Sequence, residues 1–154
     1  MIDINFDNIN NFEKTNLKKF IEKSMNKILD EIDNNAKNIY ISIFLTDNKK
    51  IKKINNKYRK INKVTNVLSF PQNDERTMND FKIYLILGDI VISLERIYSE
   101  SKEQKKTFLN HLLHMIIHST LHLYGYDHKN MREAKIMEKK ENDILFKVKE
   151  LIVN

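Results

Sequence analysis

His118-Ser119-Thr120-Leu121-His122-Leu123-Tyr124-Gly125-Tyr126-Asp127-His128 is the stretch from which the rest of the chain can be read. It closes a segment, Lys105 to Tyr124, whose apolar residues Leu109, Leu112, Leu113, Ile116 and Ile117 recur at helical spacing, with Gly125 as the natural residue after the helix end. At about 100° per residue, His111, His114, His118 and His122 fall within an arc of about 80° on the other side of that helix. The spacing predicts a helix with a core face and a separate imidazole face. His118 and His122, one turn apart, point the same way and can share an ion, and a chain turned back at Gly125 lets His128 reach it too. The reading is a metal site at the end of a His-rich helix, made of three neutral imidazoles with a coordination position left open.

The chain has no Cys, so the ligands must be His, Asp, Glu or backbone, and a thiol nucleophile, a disulfide scaffold and an iron–sulfur cluster are excluded. Zinc, one per chain, suits imidazoles and the pattern of three protein ligands plus water, although manganese and nickel also fit the donor set. A closed structural site would need a fourth ligand, with Asp127 and His114 the local candidates. His114, one turn before His118, is placed to hold water, to orient a ligand from behind or to line the cleft. Asp127 is placed to orient His128 or to cap the turn. The spacing matches the metzincin peptidase pattern His-Glu-x-x-His-x-x-Gly-x-x-His at its His and Gly positions, but Ser119 stands where that pattern has its Glu base. A serine without its own base accepts no proton near neutral pH, which argues against peptide hydrolysis by the usual route.

Outward from this segment, 154 residues argue for a single domain spanning 1–154 with a core of its own. The longest apolar run, Ile83 to Leu87, cannot span a bilayer, and the acid-containing start lacks a basic leader, so a cytoplasmic protein with no membrane partner is expected. The net charge of +6 is local: Lys49, Lys50, Lys52, Lys53, Lys57, Arg59, Lys60 and Lys63 lie between Asn48 and Lys63 with no acid among them, so the remainder is slightly acidic. Such a patch is the footprint of a protein that meets phosphates, or else a solvated helix face in a Lys-rich chain.

The remaining pattern mixes strands and helices. Ile2, Ile4 and Phe6 alternate with polar residues as in a half-buried strand, and Phe12 to Ile32 has the period of an amphipathic helix. Ile39 to Leu45 reads as a strand. Asn48 to Lys63 reads as a helix with Ile51, Ile54, Tyr58 and Ile61 inward and lysines outward. Asn66 to Phe70 is a short strand ended by Pro71, and Gln72 to Phe81 a polar, mobile loop. Ile83 to Ser93 is a long strand with a bulge or close backbone approach at Gly88-Asp89, and Leu94 to Ser101 a short helix. Asn130 to Val153 is the last helix, opened by a capping box of Asn130 and Glu133 with Met137, Ile144, Val148 and Leu151 inward. The fold class is α+β, a small mixed β-sheet packed against several α-helices.

Three blocks in this order resemble the YbeY family of zinc-dependent bacterial endoribonucleases: Tyr58-Arg59 with Thr65-Asn66-Val67-Leu68-Ser69-Phe70-Pro71, then Leu87-Gly88-Asp89-Ile90-Val91-Ile92-Ser93, then His118 to His128. The resemblance implies a zincin-like fold, zinc on His118, His122 and His128, and a functional arginine at Arg59. It also implies cleavage of single-stranded RNA, with a role in 16S rRNA 3′-end maturation and ribosome quality control, hence rRNA and the ribosome or its small subunit as partners. Ser119, Ile61, Asn62, Val64 and Asn66 depart from the family's usual Gly, Lys, Asp, Pro and Asp.

The residues agree with that chemistry. A metal activates water or polarises a phosphoryl oxygen, and Arg59, the one arginine among seven lysines of its segment, can bind phosphate bidentately. Lys49, Lys50, Lys52, Lys53, Lys57, Lys60 and Lys63 are the expected RNA-binding residues. Tyr126 and Phe70 are read as core aromatics, with base stacking as the alternative. The competing readings are a non-catalytic RNA- or ribosome-binding module and a zincin-type metallopeptidase.

Overall fold

The computed structural model describes residues 1–33, 38–72, 76–79 and 82–150, and of 76–79 the backbone alone. Among these, five strands and five helices follow in the order β1 (Ile2–Phe6), α1 (Lys14–Ile32), β2 (Ile39–Thr46), α2 (Asn48–Arg59), β3 (Val67–Pro71), β4 (Arg76–Asn79), β5 (Lys82–Ser93), α3 (Leu94–Glu103), α4 (Phe108–Leu123) and α5 (Met131–Val148). The fold is thus a mixed α and β architecture with a small sheet, as expected.

The sheet is built around β5. β2 runs parallel along one side of it, with β1 parallel beyond, and β3 and β4 pair antiparallel with its other side, β3 along Gly88–Ile92 and β4 along Lys82–Leu85. Alternation along the strands divides the core in two. Ile41, Ile43, Leu45, Ile90 and Ile92 join a main core with α1, α3, α4 and α5. On the other face Leu68 and Val91 meet Ile51 of α2, with Phe44, Ile54 and Phe70 around them. One helix therefore covers one face and four helices the other, and β3 lies at the sheet edge between the two layers.

Two sequence signals act as expected in setting this geometry. The β2–β5 register skips Leu87 between Tyr40 and Ile41, a bulge in β5 just before Gly88. Gly88 has φ +152°, and a Cβ there would lie 2.4 Å from the Phe70 carbonyl oxygen and 2.7 Å from Leu123 Cδ2. The missing side chain lets β5, β3 and the end of α4 meet. At the other end of the site, Asn130 Oδ1 accepts from Glu133 N at 2.9 Å, and Glu133 Oε2 reaches back to Lys129 N at 3.2 Å, so the capping signal starts α5.

Other expectations are corrected. The basic helix stops at Arg59 instead of continuing to Lys63: Lys60 turns left-handed with φ 61°, and the buried Asn55 donates from Nδ2 to the Lys63 carbonyl at 3.0 Å, folding the chain back. Tyr58 and Ile61, read as inward, are exposed. Part of the polar loop is strand: Arg76–Asn79 forms β4 by pairing with β5, while 73–75 and 80–81 lie outside the described residues. α4 starts at Phe108, capped by Thr107, because Lys105 takes a positive φ. Leu109, read as core, is exposed at that first turn. α5 ends at Val148, and Leu151 lies outside the described residues.

Gly88→Ala should lower the free energy of unfolding by at least about 1–3 kcal/mol, the strain of one disallowed backbone position, before the clash with Phe70 is counted. Urea unfolding followed by circular dichroism checks this, with an unchanged slope on denaturant marking a true loss of stability.

Candidate metal centre

α4 delivers His118 and His122 on consecutive turns, and the chain then reverses. Gly125 takes φ 96°, and Tyr126 N donates to the Leu121 carbonyl at 3.1 Å, which closes the helix end. Asp127 Oδ1 accepts from His128 N at 2.8 Å. This backbone hydrogen bond is the contact that a turn cap makes, and it lowers the Asp127 pKa. His128 thereby stands over the helix end. One ring nitrogen from each of His118, His122 and His128 lies within 4.8 Å of the others, the one such group among the described residues that could hold a metal ion.

The ring nitrogens are already sorted for such a task. His122 Nδ1 donates to the Tyr126 carbonyl at 2.9 Å, and His118 Nδ1 donates to Glu141 of α5. Neither a carbonyl nor a carboxylate can donate in return, so each ring carries its proton on Nδ1 and turns a lone pair inward at Nε2. These two Nε2 atoms stand 3.1 Å apart. Two facing lone pairs repel unless a cation lies between them, so the donor set fits a metal ion. Burial lowers the His122 pKa, which favours the neutral ring, the form that ligates.

Glu141 is the residue that reading along the sequence missed. It is buried on the inner face of α5, where it interrupts the stripe of Met137, Ile144 and Val148. Its second oxygen accepts from His114 Nε2 at 3.1 Å, so one carboxylate clamps two successive turns of α4. A charge inside an otherwise apolar stripe was the available signal. Burial alone would raise the Glu141 pKa, but hydrogen bonds from His114 and His118 draw it down to about 2. His114 thus shares the Glu141 carboxylate with His118 and is not one of the three grouped histidines.

His111 does not belong to the site. It is buried against α3, with Nε2 donating to Glu100 Oε1 at 3.0 Å, so the imidazole face of the helix turns into the core at its N-terminal end. Ser119 is also turned away, its Oγ donating to the Met115 carbonyl at 2.7 Å. The hydroxyl therefore stands as no base beside the histidines.

The three histidines open onto a cavity of about 1090 Å³ that follows the β3 edge of the sheet. Its lining combines Tyr58 and Arg59 from α2, Phe70 and Ser69 from β3, and the α4 end with its turn. Arg59 thus shares the cavity with the histidines, although it arrives from the opposite face of the sheet. Among the described residues, Asp127 is the one carboxylate of the lining. The seven lysines are exposed and take no part in the lining; those from Lys49 to Lys57 lie on α2 and Lys60 and Lys63 follow it. Asn66, a departure from the pattern it resembles, lines the cavity and donates from Nδ2 to Glu100 Oε1 at 3.0 Å, a bond that an ionised aspartate could not make.

A family model described as endoribonuclease YbeY matches residues 3–149. The Endoribonuclease YbeY of Buchnera aphidicola subsp. Acyrthosiphon pisum (strain APS) is 44% identical over 134 residues, 86% of this chain and 79% of that protein. The solution structure of TM1509 from Thermotoga maritima superimposes with a TM-score of 0.65 at 25% identity, over 96% of this chain and 89% of that one.

Because the folded state lowers the Glu141 pKa, the stability this carboxylate adds is complete above about pH 4.5 and is lost as pH falls toward about 2. In the metal-free protein, Glu141→Gln should therefore be less stable than wild type at pH 6 and converge with it toward pH 2. Urea midpoints across that range read the difference.

Proposed function

The chain belongs to the endoribonuclease YbeY family, and from that premise we propose that it is a single-domain, zinc-dependent endoribonuclease that cleaves single-stranded RNA in 16S rRNA 3′-end maturation and ribosome quality control. The observation that carries the reading is the convergence of His118, His122 and His128 on one point of a cavity that also holds Arg59. We propose His118, His122 and His128 as the zinc ligands in a zincin-like arrangement, Arg59 as the catalytic cation, and a cytoplasmic site of action at the ribosome or its small subunit. No helix among the described residues is long and apolar enough to cross a membrane.

Zinc held there would polarise a phosphoryl oxygen and lower the pKa of water toward about 7. The protein's own part is to aim the imidazoles. Glu141 and the Tyr126 carbonyl do this for His118 and His122 by accepting hydrogen bonds from Nδ1, as buried partners of metal-binding histidines do. Arg59 offers a planar, permanently charged fork to the non-bridging oxygens as negative charge builds on them. Basic residues of α2, outside the cavity, hold the flanking backbone. Against a peptidase stand the inward-turned Ser119 and the basic helix beside the site.

Incubation with single-stranded RNA, structured RNA and casein tests the reading. The zinc-loaded protein should cleave the first alone. His118→Ala/His122→Ala should lose bound metal and cleavage together; RNA cleavage that persists in it defeats the metal mechanism, and zinc binding without turnover favours a binding module. Arg59→Lys should keep its metal while cleavage falls about 10²–10³-fold, the usual cost of one transition-state donor.

Salt dependence examines the lysines separately. Replacing Lys49, Lys52 and Lys53 by Gln should reduce the slope of log affinity against log salt by up to about 2, at about 0.7 per phosphate contact on a single strand.

A further inference from the structure

We infer that Tyr58 and Phe70 form a stacking subsite for the base of an unpaired nucleotide at the cavity, an inference that rests on the ribonuclease reading above. Tyr58 continues the stripe of Ile51 and Ile54, a position where an amphipathic helix normally turns its side chain inward. Ile51 is fully buried and Ile54 half-buried, yet Tyr58 is 63% exposed. The small core beneath α2 ends before this last turn, and the ring stands at the open cavity instead.

Its surroundings suit one kind of ligand. The Phe70 ring meets Tyr58 edge-on, with centroids 5.7 Å apart and planes at 63°. Lys57 Nζ lies over one face of the Tyr58 ring, 5.2 Å from its centroid, which leaves the opposite face for a base, and Arg59 is the next residue along the chain. A nucleobase is flat and apolar on its faces, and it is tethered to an anion. Stacked on Tyr58, it would set its own phosphate among Lys57 and Arg59 and direct the neighbouring phosphate along the cavity toward the histidines. The ring face reads no base edge, so the subsite tolerates any sequence. It does demand a free face: a base in a duplex is already stacked on both sides. The subsite therefore gives the cavity its preference for single strands.

Binding to the metal-loaded, full-length protein tests this by fluorescence anisotropy. The ligands are a five-residue 2′-O-methyl oligo(A), its integrity checked after titration, and a chain of equal length that is abasic throughout. Tyr58→Leu should weaken oligo(A) binding about five- to a hundredfold, the range for loss of one stacked base. The same variant should bind the abasic chain as wild type does and retain full metal content, and Tyr58→Phe should restore oligo(A) affinity. Equal oligo(A) binding by wild type and Tyr58→Leu, or an equal loss on the abasic chain, overturns the stacking subsite while RNA cleavage by wild type leaves the ribonuclease reading intact. A wild type that neither binds oligo(A) nor cleaves RNA overturns both.

Discussion

The Glu141 carboxylate lies buried between two helices, and it holds its charge there because His114 and His118 both donate to it. An unpaired charge in that position would cost several kcal/mol. Burial and pairing therefore have to form together, and this couples the packing of α5 on α4 to the orientation of the His118 ring. Rotate that ring and the carboxylate loses a donor; move α5 and the ring loses its acceptor. The direction of one Nε2 of the three-histidine group is thus fixed by the assembly of the main core. His122 is held more locally, by the carbonyl of Tyr126 in the turn that Gly125 permits.

The rest of the site depends on how closely three elements approach the same sheet edge. Gly88 lets β5 carry β3 up against the end of α4, so that Phe70 on β3 comes within reach of the histidines' cavity. α2 contributes from the other face, and its left-handed end at Lys60 leaves Tyr58 and Arg59 on the last helical turn, beside the opening. A continuous helix to Lys63 would have placed Arg59 inside a helix. The buried Asn55, bonded to the Lys63 carbonyl, prevents that.

Where neighbours in sequence determine structure, the sequence was readable. The helical period around His118, the glycine after Tyr124, the cap at Asn130 and the bulge before Gly88 are all local devices, and each gives the expected element. Parts that depend on distant partners were hidden. Glu141 finds its histidines 23 and 27 residues away on another helix, and in the sequence it resembles an interruption of a stripe. His111 has the helical angle of the other histidines, but α3 packs against its end of α4 and supplies Glu100, which turns it into a core residue. β4 has no alternating apolar pattern to announce it, and it exists through its pairing with β5. Arg59 could be suspected as the one arginine among lysines, but its presence in the histidines' cavity is a product of topology.

The division of the core into two unequal parts has its own consequence. The histidines hang from the larger core, whereas Tyr58 and Arg59 belong to a helix seated on a cluster centred on Ile51, Leu68 and Val91. Regions with fewer buried contacts open at lower free energy than the global transition. The two walls of the cavity therefore rest on different apolar clusters. The histidine group and the wall that carries Tyr58 and Arg59 can accordingly be altered by different substitutions, one set in each layer.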